Sequence, residues 1–268
     1  MVKETLDSGG ESITPPDAET SGLPGAGGQY SLTRTLLACG VVAGPLYIVV
    51  GVIQMLIRPG FDIRRHELSL MSNGDLGWIQ ISNLVLTGLL SIACAAGMRR
   101  VLNRGRAGTW GPLLIGVYGL GLIAAGAFVA DPMNGFPPGT PAGTASAISW
   151  HGLLHFVAGA VGFLALISAC LVFARRFAAL GQRRWAAYSA ATGVLFFAAF
   201  FGIAAGPHQE GAHVGFVDAV FVNLAFTIAV VLGWAWLSAM AARLMTELPD
   251  ATGHFGIGPR TPSMAEKA

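Results

Sequence analysis

Charge is what this chain has least of. Only 11% of its 268 residues are Asp, Glu, Lys or Arg, against about a quarter in an ordinary soluble domain. With 53% hydrophobic residues and a mean hydropathy of +0.62, its solvent is mostly lipid. Lysine is nearly missing: Lys3 and Lys267 stand close to the two ends. The apolar body therefore has arginine as its sole fixed cation, and no amine for Schiff-base chemistry. A formal net charge of +2, with arginines scattered over short loops, makes no continuous basic face and excludes a nucleic-acid partner. The cysteines Cys39, Cys94 and Cys170 sit in apolar runs with no CxxC spacing. They give no basis for a disulfide framework or a thiolate metal site, and burial as small hydrophobes is expected.

What is present is long apolar runs. A helix needs about 20 apolar residues to cross a hydrocarbon core about 30 Å thick. Segments 35–57, 80–98, 109–130, 151–174, 185–206 and 217–241 meet that need with no Lys, Arg or Glu inside them. The expected fold class is all-α, a polytopic six-transmembrane-helix bundle over residues 35–244. Residues 1–34 are rich in Gly, Pro, Ser, Thr and acids, and lack the basic start and apolar core of a cleavable signal. They are expected to form a disordered cytoplasmic tail, as are residues 245–268.

Arginine placement sets an orientation, because basic loops resist translocation. Arg99, Arg100, Arg104 and Arg106 join helices two and three, and Arg175, Arg176, Arg183 and Arg184 join four and five. Those loops, and with them both termini, are expected in the cytoplasm of a multi-pass cell-membrane protein. The connections 58–79, 131–150 and 207–216 then face outward. The first of these is the odd one, since Arg58, Arg64 and Arg65 are there offset by Asp62, Glu67 and Asp75. Small residues such as Gly116, Gly119, Gly121, Ala125 and Gly126 predict close packing and a central place for helix three, and Gly159 and Gly162 mark helix four. Pro45 predicts a kink in helix one whose freed carbonyl a Ser or Thr side chain could satisfy.

Five of the six histidines fall in or beside the outer connections. His66, His151, His155, His208 and His213, with Glu67, Ser69, Asp131 and Glu210, form a candidate polar cluster at one membrane depth. His151 and His155 in HGLLH stand at i, i+4, which puts both rings on one helix face, where a divalent metal such as zinc can bridge them. His66 or Asp131 would supply a further ligand, and Glu67 or Glu210 a base for bound water. The zinc-hydrolase signature HExxH is not there, since no Glu follows His151. Asn83, Asn223 and Asp218 lie in or near apolar helices, as interhelical hydrogen-bond partners or pocket-lining groups. The DPMNGFPPGTP run from Asp131 cannot extend helix three and predicts a turn-rich cap.

Two motifs carry a resemblance. FDIRRHELSLMSNGDLGWIQISNLVLTG, residues 61–88, and DPMNGFPPGTP with HGLLH, residues 131–155, closely resemble the bacterial six-helix membrane family filed as domain of unknown function 998. The ending GWAWLSAMAARL, residues 233–244, is similar as well. The resemblance implies a six-helix membrane fold with His66, Ser69, Trp78, Asn83, Asp131, Pro132, Gly152 and His155 at motif positions. Where many members have an acid after the second histidine and a Gln-Arg pair in helix six, this chain has Phe156 and Val222-Asn223. Three functions remain open: binding of a lipid or partner at an outward-facing polar cleft, metal-dependent lipid or amide hydrolysis by the histidine cluster, and small-solute or proton-coupled transport. The lipid bilayer is the one partner expected outright, and protein partners stay open.

Overall fold

A computed structural model describes residues 26–102, 105–143, 147–205, 213–214 and 217–248. Its helices are α1 Ala26–Ile57, α2 Gly77–Val101, α3 Gly105–Ala127, α4 Trp150–Ala179, α5 Arg183–Ala205 and α6 Ala219–Met245. All six are long and apolar enough to cross a membrane. Even the 23-residue α3 spans about 34 Å at a rise of about 1.5 Å per residue. The chain is a multi-pass membrane protein. Two short elements interrupt the helical pattern, a 3-10 turn at Leu68–Ser72 and an antiparallel pair of two-residue strands, β1 His213–Val214 and β2 Val217–Asp218.

Helix ends depart from the hydropathy boundaries for a physical reason. Hydropathy marks where lipid stops, whereas backbone hydrogen bonding continues into water. α1 accordingly starts at Ala26, not residue 35, so part of the expected tail is helical. On its first turns Thr33 and Thr35 donate their hydroxyls to Gln29 O (2.8 Å) and Ser31 O (3.1 Å). α4 likewise runs past Arg175 and Arg176 to Ala179, and α6 reaches Met245. α6 also starts two residues later than expected, because Val217 and Asp218 belong to β2. The remaining tail residues, 1–25 and 249–268, lie outside the described residues.

Each helix packs on its neighbours in sequence, and α6 closes a ring on α1. α3 is therefore a member of the ring and not its axis; its small residues serve two tight crossings. On one side a Cβ at Gly119 would stand 2.6 Å from Gly88 O, and one at Gly88 would stand 2.7 Å from Gly119 O. On the other side a Cβ at Gly121 would stand 2.9 Å from both Ala158 O and Gly162 Cα. With no hydrophobic drive between helices in lipid, such backbone approach is a main source of packing energy. Gly116 is different, since its Cβ would meet nothing closer than Ala95 Cβ at 3.9 Å.

Polar ties join the ring. Gln54 Nε2 on α1 donates to Gln80 Oε1 on α2 (2.7 Å), and Asn83 Nδ2 donates to Tyr47 O (3.3 Å), the interhelical role expected for it. Ser238 on α6 donates to Gly40 O (3.1 Å), one residue from the carbonyl that Pro45 frees. At the arginine-rich end Arg99 Nη1 donates to Gly108 O (2.6 Å) and Arg100 Nε to Thr33 Oγ1 (3.1 Å), tying α2 to α3 and α1. Cys94 and Cys170 are buried and Cys39 is half-buried. Because a methyl at position 119 must push two backbones apart, Gly119→Ala should destabilise the bundle by about 1–3 kcal/mol. Gly116→Ala should leave the thermal midpoint in detergent within error of wild type, and equal shifts for the two would refute this account of the crossing.

A lidded cavity as candidate functional site

At the end of the bundle opposite the arginines, a cavity of about 320 Å³ lies inside the ring. Its walls come from α1 (Tyr47), α2 (Leu84), α3 (Tyr118, Gly121, Leu122, Ala125), α4 (His155, Phe156, Ala158, Gly159, Gly162, Phe163), the end of α5 (Phe200, Ile203) and α6 (Phe226, Thr227, Val230, Trp234). Glu67, Ser69, Leu70, Ala130 and Met133 from the connecting loops cover it. The lining is apolar apart from a few hydroxyls, the His155 and Trp234 rings and the Glu67 carboxylate, and neither Lys nor Arg takes part.

The cover is the connection between α1 and α2, and it is fastened on three sides. Arg58, the first residue after α1, is 7% exposed. Its Nη1 donates to Met71 O at 3.0 Å and its Nη2 to Asn73 O, while the guanidinium lies 5.3 Å over the Phe136 ring. This cation is directed at carbonyls of its own loop, with Asp75 nearby partly offsetting the cost of its burial. His66 ties the lid to the α3–α4 connection. Its Nδ1 accepts from Asp62 N–H (2.9 Å), so Nε2 must carry the proton that is donated to Asn134 O (2.9 Å). Asn223 of α6 ties the third side through Nδ2 to Ile63 O (2.7 Å) and His66 O (3.3 Å). Leu70, Ala130, Met133, Phe136 and Phe61 pack beneath as a second, small core. The turn-rich cap is formed as expected, with Asn134 in the left-handed region at φ 55°.

The HGLLH pair does face one way, toward the end of α3. There the last carbonyls of a helix have no intrahelical partner. His151 Nδ1 lies 2.9 Å from Val129 O, and His155 Nδ1 lies 2.9 Å from Ala125 O and 2.8 Å from Phe128 O. Carbonyls only accept, so both rings donate from Nδ1 and cap α3. Asp131 does the converse job. Its Oδ2 accepts from Ser149 N–H (2.8 Å), placing a carboxylate at the positive N-terminus of α4, where Ser149 Oγ accepts from Gly152 N–H (3.0 Å). A side chain at 152 would collide with that carboxylate, which explains the glycine.

These geometries give the residues of the metal expectation other partners. His66 uses both ring nitrogens, Asp131 caps a helix, and His151 and His155 are turned to carbonyls. Among the described residues no three His, Cys, Asp or Glu side chains come together as a ligand group, so His66, Asp131, His151 and His155 are not brought into one. Glu67, Ser69 and His155 do meet at the cavity. His208 and Glu210 lie outside the described residues, and His213 is described only as part of β1, as Asp218 is of β2. Missed from sequence were Arg58 as the lid anchor and Thr227 and Trp234 as cavity residues. A signal existed: Asn223, Thr227, Val230 and Trp234 follow the spacing of one helix face.

Lid, cavity and six spans define a membrane helix bundle with an interior apolar pocket. The chain belongs to the family described as protein of unknown function (DUF998), which it matches over residues 41–243. No curated protein and no solved structure matches it.

Burial lowers the basicity of His66 below its ordinary value of 6.5, and Arg65 adds to this, while the bond to Asn134 and the Asp62 charge oppose it. Asp62, held at about 2 chiefly by its hydrogen bond to Arg64, stays ionised throughout. The folded lid thus prefers neutral His66. Its contribution to stability is complete above the ordinary histidine value and is lost as pH falls through the lowered folded value. The thermal midpoint should therefore drop between pH 8 and pH 5, and the drop should be shallower in His66→Gln; parallel slopes would contradict the assignment.

Proposed function

We propose that this protein is a cell-membrane receptor for a small apolar molecule drawn from the bilayer, with the lid on the outer face and both termini in the cytoplasm. The arginine-rich connections support that orientation by resisting translocation. The observation that carries the reading is the cavity, whose volume of about 320 Å³ falls within the range of ligand pockets, about 300–1,000 Å³. A ligand that fills this volume gains dispersion contacts along its whole lining.

Binding is favoured over passage because the cavity is blind. Beyond Trp234 the ring is filled by the buried Met98, Phe173, Trp236 and Met240. Metal-dependent hydrolysis lacks a ligand group among the described residues. The cleft is thus mainly apolar, with isolated polar groups such as His155, Thr227 and Trp234 in its wall and Glu67 and Ser69 at its cover. Gly159 lines the cavity, and a Cβ there meets nothing nearer than 3.9 Å, so Gly159→Leu fills the space without a clash at the backbone. Native mass spectrometry of protein extracted from membranes should show a retained apolar compound. Gly159→Leu should lower its occupancy about tenfold or more at unchanged thermal stability, and equal occupancy in the two proteins would reject the cavity as the binding site.

A further inference from the structure

Two donors in the cavity wall lack a partner. Trp234 is 1% exposed and Thr227 is 7% exposed, both line the cavity, and neither Trp234 Nε1 nor Thr227 Oγ1 has a hydrogen-bond partner among the described residues. The contrast with neighbouring hydroxyls is informative. Thr87, Ser91 and Thr192, also buried in helices, each donate back to a carbonyl of the preceding turn, whereas Thr227 does not. A buried donor left unpaired is destabilising, and in lipid no water is at hand to relieve it. The ring of Trp234 is fixed by Tyr47, stacked at 5.0 Å, and Tyr118 at 5.5 Å.

We infer that the cavity takes an uncharged lipid-soluble molecule bearing a carbonyl or hydroxyl oxygen, which enters oxygen-first and accepts from Trp234 Nε1–H, with Thr227 Oγ1 as a second polar contact on the way. The inference rests on the cavity being a ligand site, and adds the chemistry of the ligand. Indole N–H is a donor only, so its partner must be an acceptor. No Lys or Arg lines the cavity, so a phosphate or carboxylate head would be buried without a counter-charge, which disfavours it. Trp234 lies eleven residues along α6 from the lid anchor Asn223, about 16 Å at helical rise. The volume holds about eleven water-sized groups, enough for one short chain or ring and too little for a two-chain phospholipid. Phe156 on α4 and Ala204 on α5 are exposed beside the cavity, so the rest of the ligand leaves sideways into lipid between these helices.

The test uses the full chain in lipid nanodiscs with three chain-matched probes: methyl octyl ketone, decane and decanoate. Thr227→Val removes an unpaired hydroxyl and Trp234→Phe keeps a ring against Tyr47, so both should fold. Wild type should prefer the ketone to decane and decanoate, and the ketone alone should shift the Trp234 indole N–H resonance, identified by its loss in Trp234→Phe. Each variant should weaken ketone binding about three- to tenfold while leaving decane unchanged. If Gly159→Leu blocks both ketone and decane but wild type binds them equally, oxygen recognition is overturned and the cavity reading stands. If no probe is sensitive to Gly159→Leu, both are overturned.

Discussion

A chain that leaves its helices at the membrane border frees backbone carbonyls where water is scarce, and each must be given a donor. Several polar side chains at the lidded end answer that requirement. Arg58 donates to Met71 and Asn73, His66 to Asn134, and Asn223 to Ile63 and His66. His151 and His155 donate to carbonyls in and just beyond the last turn of α3. An unsatisfied carbonyl in lipid costs several kcal/mol, so these contacts decide where the loops sit. The histidines are concentrated at this end because it holds the long, irregular connections; at the arginine end, among the described residues, Arg99 donates to Gly108 O in the same way, while Arg100 reaches the Thr33 hydroxyl.

The cavity follows from that arrangement. Six helices in a ring meet closely where glycine faces glycine, as at Gly88 and Gly119 or Gly121 and Gly162. At the arginine end the middle is filled by large side chains such as Phe173, Phe177 and Trp236. Toward the lid, Gly121, Ala125, Ala158 and Gly159 line the interior instead. The same small residues that let α3 and α4 approach thus leave volume beside them. A lid fixed on three sides keeps that volume from collapsing or flooding.

Much of the fold was legible in the sequence because a bilayer imposes a length on apolar runs that hydropathy reads directly. Helix ends were less legible: α1 begins within a polar stretch whose threonines are helical. The asymmetry of histidines was visible too, but its meaning was not. A His pair at i, i+4 predicts a shared face equally well whether that face meets a metal or a helix end, and only the position of Val129, Phe128 and Ala125 relative to α4 decides. Asp131 and Gly152 both stand at motif positions, and their contact explains both. Arg58 was read as one of three charges offset by acids, since a sequence shows the sign of a residue and not which carbonyl it reaches. The inner face of α6 was written in the spacing Asn223, Thr227, Val230 and Trp234, yet that Thr227 and Trp234 lack partners emerges only from packing.

The central claim is that side-chain donors to main-chain carbonyls hold the lid closed over the cavity. Site-resolved amide hydrogen exchange on the detergent-solubilised protein tests it most directly. The Leu70 and Asn73 amides, bonded to Glu67 O and Leu70 O at 3.0 Å each, should exchange as slowly as helix-interior amides in wild type. In Arg58→Met they should exchange about tenfold faster or more, with α2 and α3 unaffected. Fast exchange of these amides in wild type, or no acceleration in Arg58→Met, would contradict it.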